Sequence, residues 1–252
     1  MYDALDQLAN EDPEAFADVV LAMATNDNPL LREQAALSVL TLIQNNLPVA
    51  ARTAALLCND KDDDVSTRAH NQLWEISQDS EHWSSERSIA FLRALDQASQ
   101  VISGEQPETV DLEWTDPRAI QSAIDGLGKF GDHLTDFAYN IAKIVGDAAT
   151  YPHLFTEDMF AFLMNHSSAV VRSSLVNILA NNEDLLRTHR SFAIKAWQKL
   201  LVDPHPDTRG WAADLFYEQL FYDGQRCSVF ESEYQEIIAT LPSEVRKSIA
   251  IS

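Results

Sequence analysis

Three glycines of the chain match the spacing of a phosphate-binding loop. Gly126, Gly128 and Gly131 form a G-x-G-x-x-G string. In dinucleotide-binding proteins this string follows a buried strand and opens a helix, so that backbone amides face a pyrophosphate. Here the preceding residues, Ala119 to Ile124, have helical spacing, and no second strand–helix unit follows. We therefore interpret the glycines as a helix C-cap and a turn between two helices.

Other residues that could act in catalysis or metal binding lack the neighbouring residues that these functions need. None of the seven histidines forms a His-x-x-x-His or His-Glu pair, and Gly-x-Ser-x-Gly is absent. Asp62-Asp63-Asp64 has no glycine turn or bidentate Glu at calcium-loop spacing, which favours a helix cap and a solvated acidic face. Cys58 lies among Ala54, Leu56 and Leu57, as a core residue would. The sequence predicts no enzyme, no metal and no cofactor.

Residues 103–116 interrupt the helical spacing and are strongly acidic. The segment holds five acids and no basic residue, with Val110, Leu112 and Trp114 interleaved. It is either a loosely packed loop with Trp114 on the next helix, or a binding loop. In the second interpretation the carboxylates steer a cationic partner and Trp114 anchors it. The candidate partner-binding residues are Glu105, Glu108, Asp111, Glu113, Trp114 and Asp116, followed by Asp62, Asp63 and Asp64.

The composition narrows the class of partner. The 252 residues include 18 Lys+Arg and 39 Asp+Glu, a net charge of −21. Phosphate backbones and anionic membranes are bound through basic surfaces, so neither nucleic acid nor membrane is an expected partner. The two distant cysteines, Cys58 and Cys227, favour a reducing compartment. With acidic residues near Met1 and no long apolar run, we expect a cytoplasmic protein.

The elements that would hold these residues are helices arranged in a repeat. Apolar residues recur at helical spacing along most of the chain, and glycine and proline are scarce. Helices are predicted to begin at Asp12-Pro13, Asn28-Pro29 and Leu47-Pro48. The second of these helices is predicted to carry Leu31, Ala35, Val39 and Leu40 on one face. Four segments share a polar turn, an apolar residue often followed by Arg, and further small or apolar residues at intervals of four. They begin at Leu31-Arg32, Val65-Ser66, Val171-Arg172 and Thr208-Arg209. An Asp in the turn would cap the helix, and the Arg would reach an Asp of an adjacent turn.

This layout resembles the HEAT family of helical repeats. The likeness covers residues 12–78 and 155–222 well and residues 83–150 only by spacing and length, and Ser66 and Thr208 depart from the motif. The resemblance implies an all-α fold, an α-solenoid of stacked antiparallel helix pairs with about five to six repeats. A non-repetitive helical bundle is the alternative. We expect one domain over residues 1–252, with 103–116 as a loop between repeats.

The charge and the absence of catalytic motifs suggest a binding function. A small, acidic chain of this kind resembles bacterial immunity proteins, which implies capture and inhibition of a basic partner such as a cognate nuclease-type toxin. The alternative is a HEAT-repeat scaffold or adaptor for protein complexes. A HEAT-like enzyme, such as a lyase or DNA-repair glycosylase, is less favoured. A glycosylase of this fold would need clustered Lys and Arg around its DNA groove.

Overall fold

The computed structural model describes residues 2–78, 83–107, 110–130, 134–182, 185–222, 225–226 and 231–251. Within these ranges the chain forms sixteen helices and one antiparallel pair of two-residue strands. The prediction of an all-α fold is confirmed. Glu108, Gly131 and Cys227 lie outside the described residues.

The chain divides into two compact units, Met1–Phe137 and Ala138–Ser252. The first unit contains eight helices and the beginning of a ninth. Their bounds are α1 (Tyr2–Glu11), α2 (Pro13–Ala24), α3 (Pro29–Leu37), α4 (Val39–Asn45), α5 (Leu47–Cys58), α6 (Asp63–Gln78), α7 (Ser85–Ile102), α8 (Pro117–Phe130) and α9 (Thr135–Gly146). The prediction of one domain over the whole chain stays a prediction.

The second unit contains the rest of α9, seven further helices and the strand pair. Their bounds are α10 (Glu157–Asn165), α11 (Ala169–Asn181), α12 (Leu185–Thr188), α13 (Arg190–Leu200), α14 (Pro206–Leu220), β1 (Phe221–Tyr222), β2 (Gln225–Arg226), α15 (Glu231–Thr240) and α16 (Ser243–Ile251). Phe221 pairs with Arg226, and Tyr222 pairs with Gln225.

Several helices begin where polar residues precede a proline or an apolar run. The Asp12 carboxylate accepts a hydrogen bond from the Ala15 amide at 3.0 Å, with Pro13 in the first turn. The Asn46 side chain accepts one from the Val49 amide at 3.2 Å. Such caps satisfy amides that have no partner inside the helix, and each stabilises its helix by roughly 1 kcal/mol. The predicted starts at Asp12-Pro13, Asn28-Pro29 and Leu47-Pro48 are confirmed.

The helices of each unit pack in a similar way. In the first unit α2 contacts α3 and α5, and α3 contacts α6. In the second unit α10 contacts α11 and α13, and α11 contacts α14. The small residues that the repeat places on the second helices, Ala35, Ala69 and Ala212, are buried. A side chain of one carbon lets two helix backbones approach closely, which explains why these positions are small.

Two buried ion pairs repeat the same geometry, one in each unit. Arg32 donates two hydrogen bonds to the Asp60 carboxylate, at 2.6 and 3.0 Å. Arg172 does the same to Asp203, at 2.7 and 2.8 Å. Each Arg also donates from Nη1 to two backbone carbonyls of the turn before its own helix. The prediction that the repeat's Arg reaches an Asp of a neighbouring turn is confirmed for these pairs. Arg209 instead donates to the Asp203 carbonyl at 2.6 Å.

The predicted turn is wrong for Gly126 and Gly128, and Gly131 lies outside the described residues. Helix α8 continues through Gly126 and Gly128 to Phe130. A Cβ on Gly126 would collide with the Leu92 carbonyl oxygen of α7 and lie 3.2 Å from the Asp96 amide nitrogen. Gly126 therefore serves the close approach of α7 and α8 rather than a change of chain direction.

The single helix predicted from Pro29 through Leu40 is also corrected. The helix is interrupted at Ser38, which lies between α3 and α4. The Ser38 hydroxyl donates a hydrogen bond to the Gln34 carbonyl oxygen at 3.0 Å. A hydroxyl bonded to the preceding turn bends helices. Leu40, expected on the buried face, is consequently exposed while Val39 is buried.

A buried carboxylate joins α7 to α8. Asp96 accepts hydrogen bonds from Lys129 at 2.7 Å, from Ser122 at 2.8 Å and from Gln100 at 2.9 Å. Three donors compensate for the loss of water around a buried charge. Because α7 ends at Ile102 and α8 begins at Pro117, this packing fixes both ends of the acidic segment between them.

Candidate functional site

Residues 103–116, which we call the acidic loop, leave α7 through a defined helix end. Gly104 has a φ of +84°, a conformation that glycine adopts without steric cost. Its amide donates to the Val101 carbonyl at 3.1 Å, and the Glu105 amide donates to the Gln100 carbonyl at 2.8 Å. These two bonds form a Schellman motif. The motif closes the helix and places Glu105 at the start of the loop, with its side chain exposed.

Asp116 closes the other end of the acidic loop. Its carboxylate accepts from the Arg118 amide at 2.8 Å and from the Arg118 guanidinium at 3.2 Å. These hydrogen bonds from Arg118 hold the pKa of Asp116 below its ordinary value. Asp116 is thus both a helix cap and one member of an ion pair. It has fewer open acceptor positions for a partner than an unpaired acid would have.

The middle of the acidic loop is attached to α7. The Arg93 guanidinium donates to the Leu112 carbonyl at 3.3 Å. Trp114, the predicted anchor, is half-buried rather than fully exposed. Its role as an anchor for a partner stays a prediction.

Three acids of the loop remain open to a partner. Glu105, Asp111 and Glu113 are exposed, and within the described part of the chain none of them forms an ion pair. We call these three residues the free acids. Carboxylates without an internal cation keep their full attraction for an external one. Glu108, also predicted as a binding residue, lies outside the described residues.

The second predicted acidic group has a structural role. Asp62 accepts from the amides of Asp64 and Val65, at 3.1 and 3.4 Å, and so caps α6. Asp63 and Asp64 are exposed in the first turn of α6. Acids in a first turn are stabilised by the positive end of the helix dipole. A contribution of Asp62, Asp63 and Asp64 to partner binding stays a prediction.

A groove beside the acidic loop was not predicted from the sequence. It has a volume of about 480 Å³ and is bounded by helices α5 and α7 and by Pro107 of the loop. We call it the α5–α7 groove. Val101 and Ile102, at the end of α7, line it and are 52% and 41% exposed. Two adjacent apolar residues at the exposed end of a helix are the sequence signal that indicates such a site.

Other candidate chemistry finds no geometric support in the described residues. Across the described ranges, His, Cys, Asp and Glu side chains nowhere gather in threes that could hold a metal ion. Burial raises the pKa of the Cys58 thiol to about 12, which keeps it protonated and unreactive near neutral pH. Every helix in the described ranges is too short or too polar to span a lipid bilayer.

The chain was compared with known families and structures. No protein-family model, curated protein or solved structure matches it. The proposed function therefore rests on the residues and contacts described above.

Proposed function

We propose that the protein is a non-catalytic binding module whose acidic loop captures a basic protein. The observation that carries this proposal is the set of free acids, Glu105, Asp111 and Glu113, exposed on a loop that is fixed at both ends. Glu105, Asp111 and Glu113 are at or next to the points where the loop is attached to α7, so their backbone loses less conformational entropy on binding than that of an unattached segment. Exposed carboxylates on the loop would attract Lys and Arg and accelerate association by electrostatic steering.

In this proposal each unit is a short array of HEAT-like repeats. The support is the repeated contact of second helices, α3 with α6 and α11 with α14, together with the matching pairs Arg32–Asp60 and Arg172–Asp203. Stacked helix pairs bury a continuous core and leave long surfaces and loops for binding. The acidic loop between α7 and α8 is an insertion of this kind.

The partner proposed is a basic toxin of the nuclease type, with this chain as its immunity protein. A nuclease binds phosphates through a basic surface, and the free acids would occupy that surface in place of phosphate oxygens. The net charge of −21 supports attraction at long range. Binding would block access of nucleic acid without any catalytic step by this chain.

Reversing the free acids is expected to weaken binding of the partner by at least about tenfold. The variant carries Glu105→Lys, Asp111→Lys and Glu113→Lys. Each exposed ion pair contributes roughly 0.2–1 kcal/mol, and reversal replaces attraction by repulsion. The partner is first captured from host-cell extract with the wild-type chain. Its dissociation constant is then measured for each variant by isothermal titration calorimetry.

The matched control reverses three exposed acids elsewhere, Asp18, Asp214 and Glu218, which form no ion pair in the described residues. Both triple variants have the same net charge. We expect the control to retain affinity within about threefold, since exposed charges that do not touch the partner are largely screened at physiological salt. Equal weakening by both variants would show that bulk charge, not the acidic loop, determines binding. A captured partner that is neutral or acidic would favour the scaffold alternative.

A further inference from the structure

The α5–α7 groove lies between two helices that pack against each other. Pro48, Arg52 and Leu56 of α5 line one wall, each four residues from the next. Residues of α7 line the other wall: Ala94, Gln97, Ala98, Val101 and Ile102. Two helices side by side form a groove in which the apolar face of a third helix can lie.

Apart from Gln97, the α7 wall is apolar, and it is accessible. Ala94 and Ala98 are half-buried, and their small side chains leave room for the side chains of an occupant. Val101 and Ile102 also line the groove and are about half-exposed. Water in contact with these side chains would be displaced by apolar side chains of an occupant, which favours binding.

The charges around the groove indicate which occupant fits. Glu105 lies between Ile102 and Pro107 in the sequence, and both of these residues line the groove. The other free acids, Asp111 and Glu113, flank Leu112, whose carbonyl is bonded to Arg93 of α7. The α5 wall carries the opposite charge, because Arg52 is exposed there. Basic residues of an occupant are therefore attracted toward the acidic loop and repelled from the α5 wall.

We propose that the α5–α7 groove binds an amphipathic helix of the basic partner, with its apolar side chains between α5 and α7 and its Lys and Arg on the free acids. This inference rests on the proposed function and adds the part of the partner that is recognised. Apolar contact in the groove slows dissociation of the helix. The free acids accelerate its association and set its orientation.

The test uses a synthetic peptide of about 18 residues, long enough to form a helix on binding. It contains Leu at every third or fourth position and Lys on one side of that stripe. A second peptide has the same composition in scrambled order, so its charge is identical and its apolar stripe is lost. Binding of each fluorescein-labelled peptide to the full chain is measured by fluorescence anisotropy. The patterned peptide is expected to bind at least about tenfold more tightly.

Substitutions in the groove identify where the peptide binds. Ala98→Arg fills the groove, and Ala90→Arg places the same side chain at an exposed position of α7 outside it. We expect a loss of at least about tenfold for Ala98→Arg and little change for Ala90→Arg. The milder double variant Val101→Ser and Ile102→Ser removes exposed apolar surface and preserves the fold. It is expected to weaken the patterned peptide and to leave the scrambled peptide unchanged.

The outcomes separate this inference from the proposed function. Equal binding of the two peptides, or an unchanged affinity in both groove variants, overturns the groove inference. If the captured natural partner is still lost on reversal of the free acids, the proposed function stands without the groove. If that reversal has no effect on the natural partner, the proposed function fails by its own test.

Discussion

The variant Asp203→Ala is expected to destabilise the second unit by about 3–5 kcal/mol. The Asp203 carboxylate is buried and receives both hydrogen bonds from the buried guanidinium of Arg172. Removing the carboxylate leaves a positive charge in the interior with only two carbonyl acceptors, those of His166 and Ser167. An uncompensated buried charge is costly because water cannot reach it. Urea denaturation followed by circular dichroism measures the change.

Two further variants compare this loss of stability with that of a second buried ion pair and of an exposed one. Asp60→Ala removes the corresponding partner of Arg32 in the first unit and is expected to have a similar effect. Arg68→Ala breaks the exposed pair of Arg68 with Glu33, in which the side chains are 45% and 30% exposed. That loss is expected to be under about 1 kcal/mol. If all three variants are equally mild, the buried pairs do not hold the repeats together.

The same pair makes the stability of the chain depend on pH. Burial disfavours the charged form of Asp203, but hydrogen bonds from Arg172 and the His205 amide and the charge of Arg172 together hold its pKa below the ordinary value. A lowered pKa contributes stability that is complete above the unfolded pKa near about 4 and is lost as the pH falls through the folded pKa. The difference in stability between wild type and Asp203→Ala is therefore expected to be constant near neutral pH. Below about pH 4 it should shrink.

Gly126→Ala is expected to destabilise the first unit by about 2–3 kcal/mol, the upper part of the range for overpacking. The added Cβ would collide with a backbone carbonyl oxygen, that of Leu92, and a backbone atom cannot move aside as a flexible side chain can. Helices α7 and α8 would have to separate, which also weakens the contact of Lys129 and Ser122 with Asp96. Overpacking of this kind typically costs about 1–3 kcal/mol. The midpoint of urea denaturation is the quantity to compare.

Gly210→Ala provides the control for this substitution. Gly210 lies inside α14, and a Cβ there would meet no atom within 4 Å. Alanine favours the helix over glycine by about 1 kcal/mol, so this variant is expected to be more stable than wild type. If Gly126→Ala were also stabilising, close packing would not be the reason for glycine at that position, and the packing of α7 on α8 would need revision.

Local signals predicted the elements well. An acidic or amide side chain before a proline favours a helix start through local contacts alone. Helices α2 and α3 begin in this way, at Asp12-Pro13 and Asn28-Pro29. The repeated Arg was also informative, because its spacing from the turn fixes which carbonyls and carboxylate it can reach. Arg32 and Arg172 make the same contacts for this reason. The acidic loop was located at 103–116 because helical spacing stops there, and it lies between α7 and α8 as expected.

Features that depend on neighbouring helices were not predictable. A glycine in a turn and a glycine under a crossing helix look alike in one sequence, so the role of Gly126 was misread. The α5–α7 groove arises from two helices that are separated along the chain. Val101 and Ile102 signal an exposed apolar edge, but no local pattern reveals the wall of α5 that faces it. The role of Asp116 was open to prediction, because Asp116-Pro117 has the same form as Asp12-Pro13. An Asp directly before a proline is expected to cap the helix that follows, so Asp116 does not belong with the free acids.

The central claim is that the free acids, Glu105, Asp111 and Glu113, steer a basic partner onto the acidic loop. The most direct test is the association rate of the captured partner, measured by stopped-flow fluorescence at increasing salt concentration. For the wild type the rate is expected to fall steeply as salt screens the attraction, and for the variant reversed at these three residues it should be slower at low salt. The control reversed at Asp18, Asp214 and Glu218 should follow the wild type. An association rate that is independent of salt, or the same in all three proteins, would contradict the account.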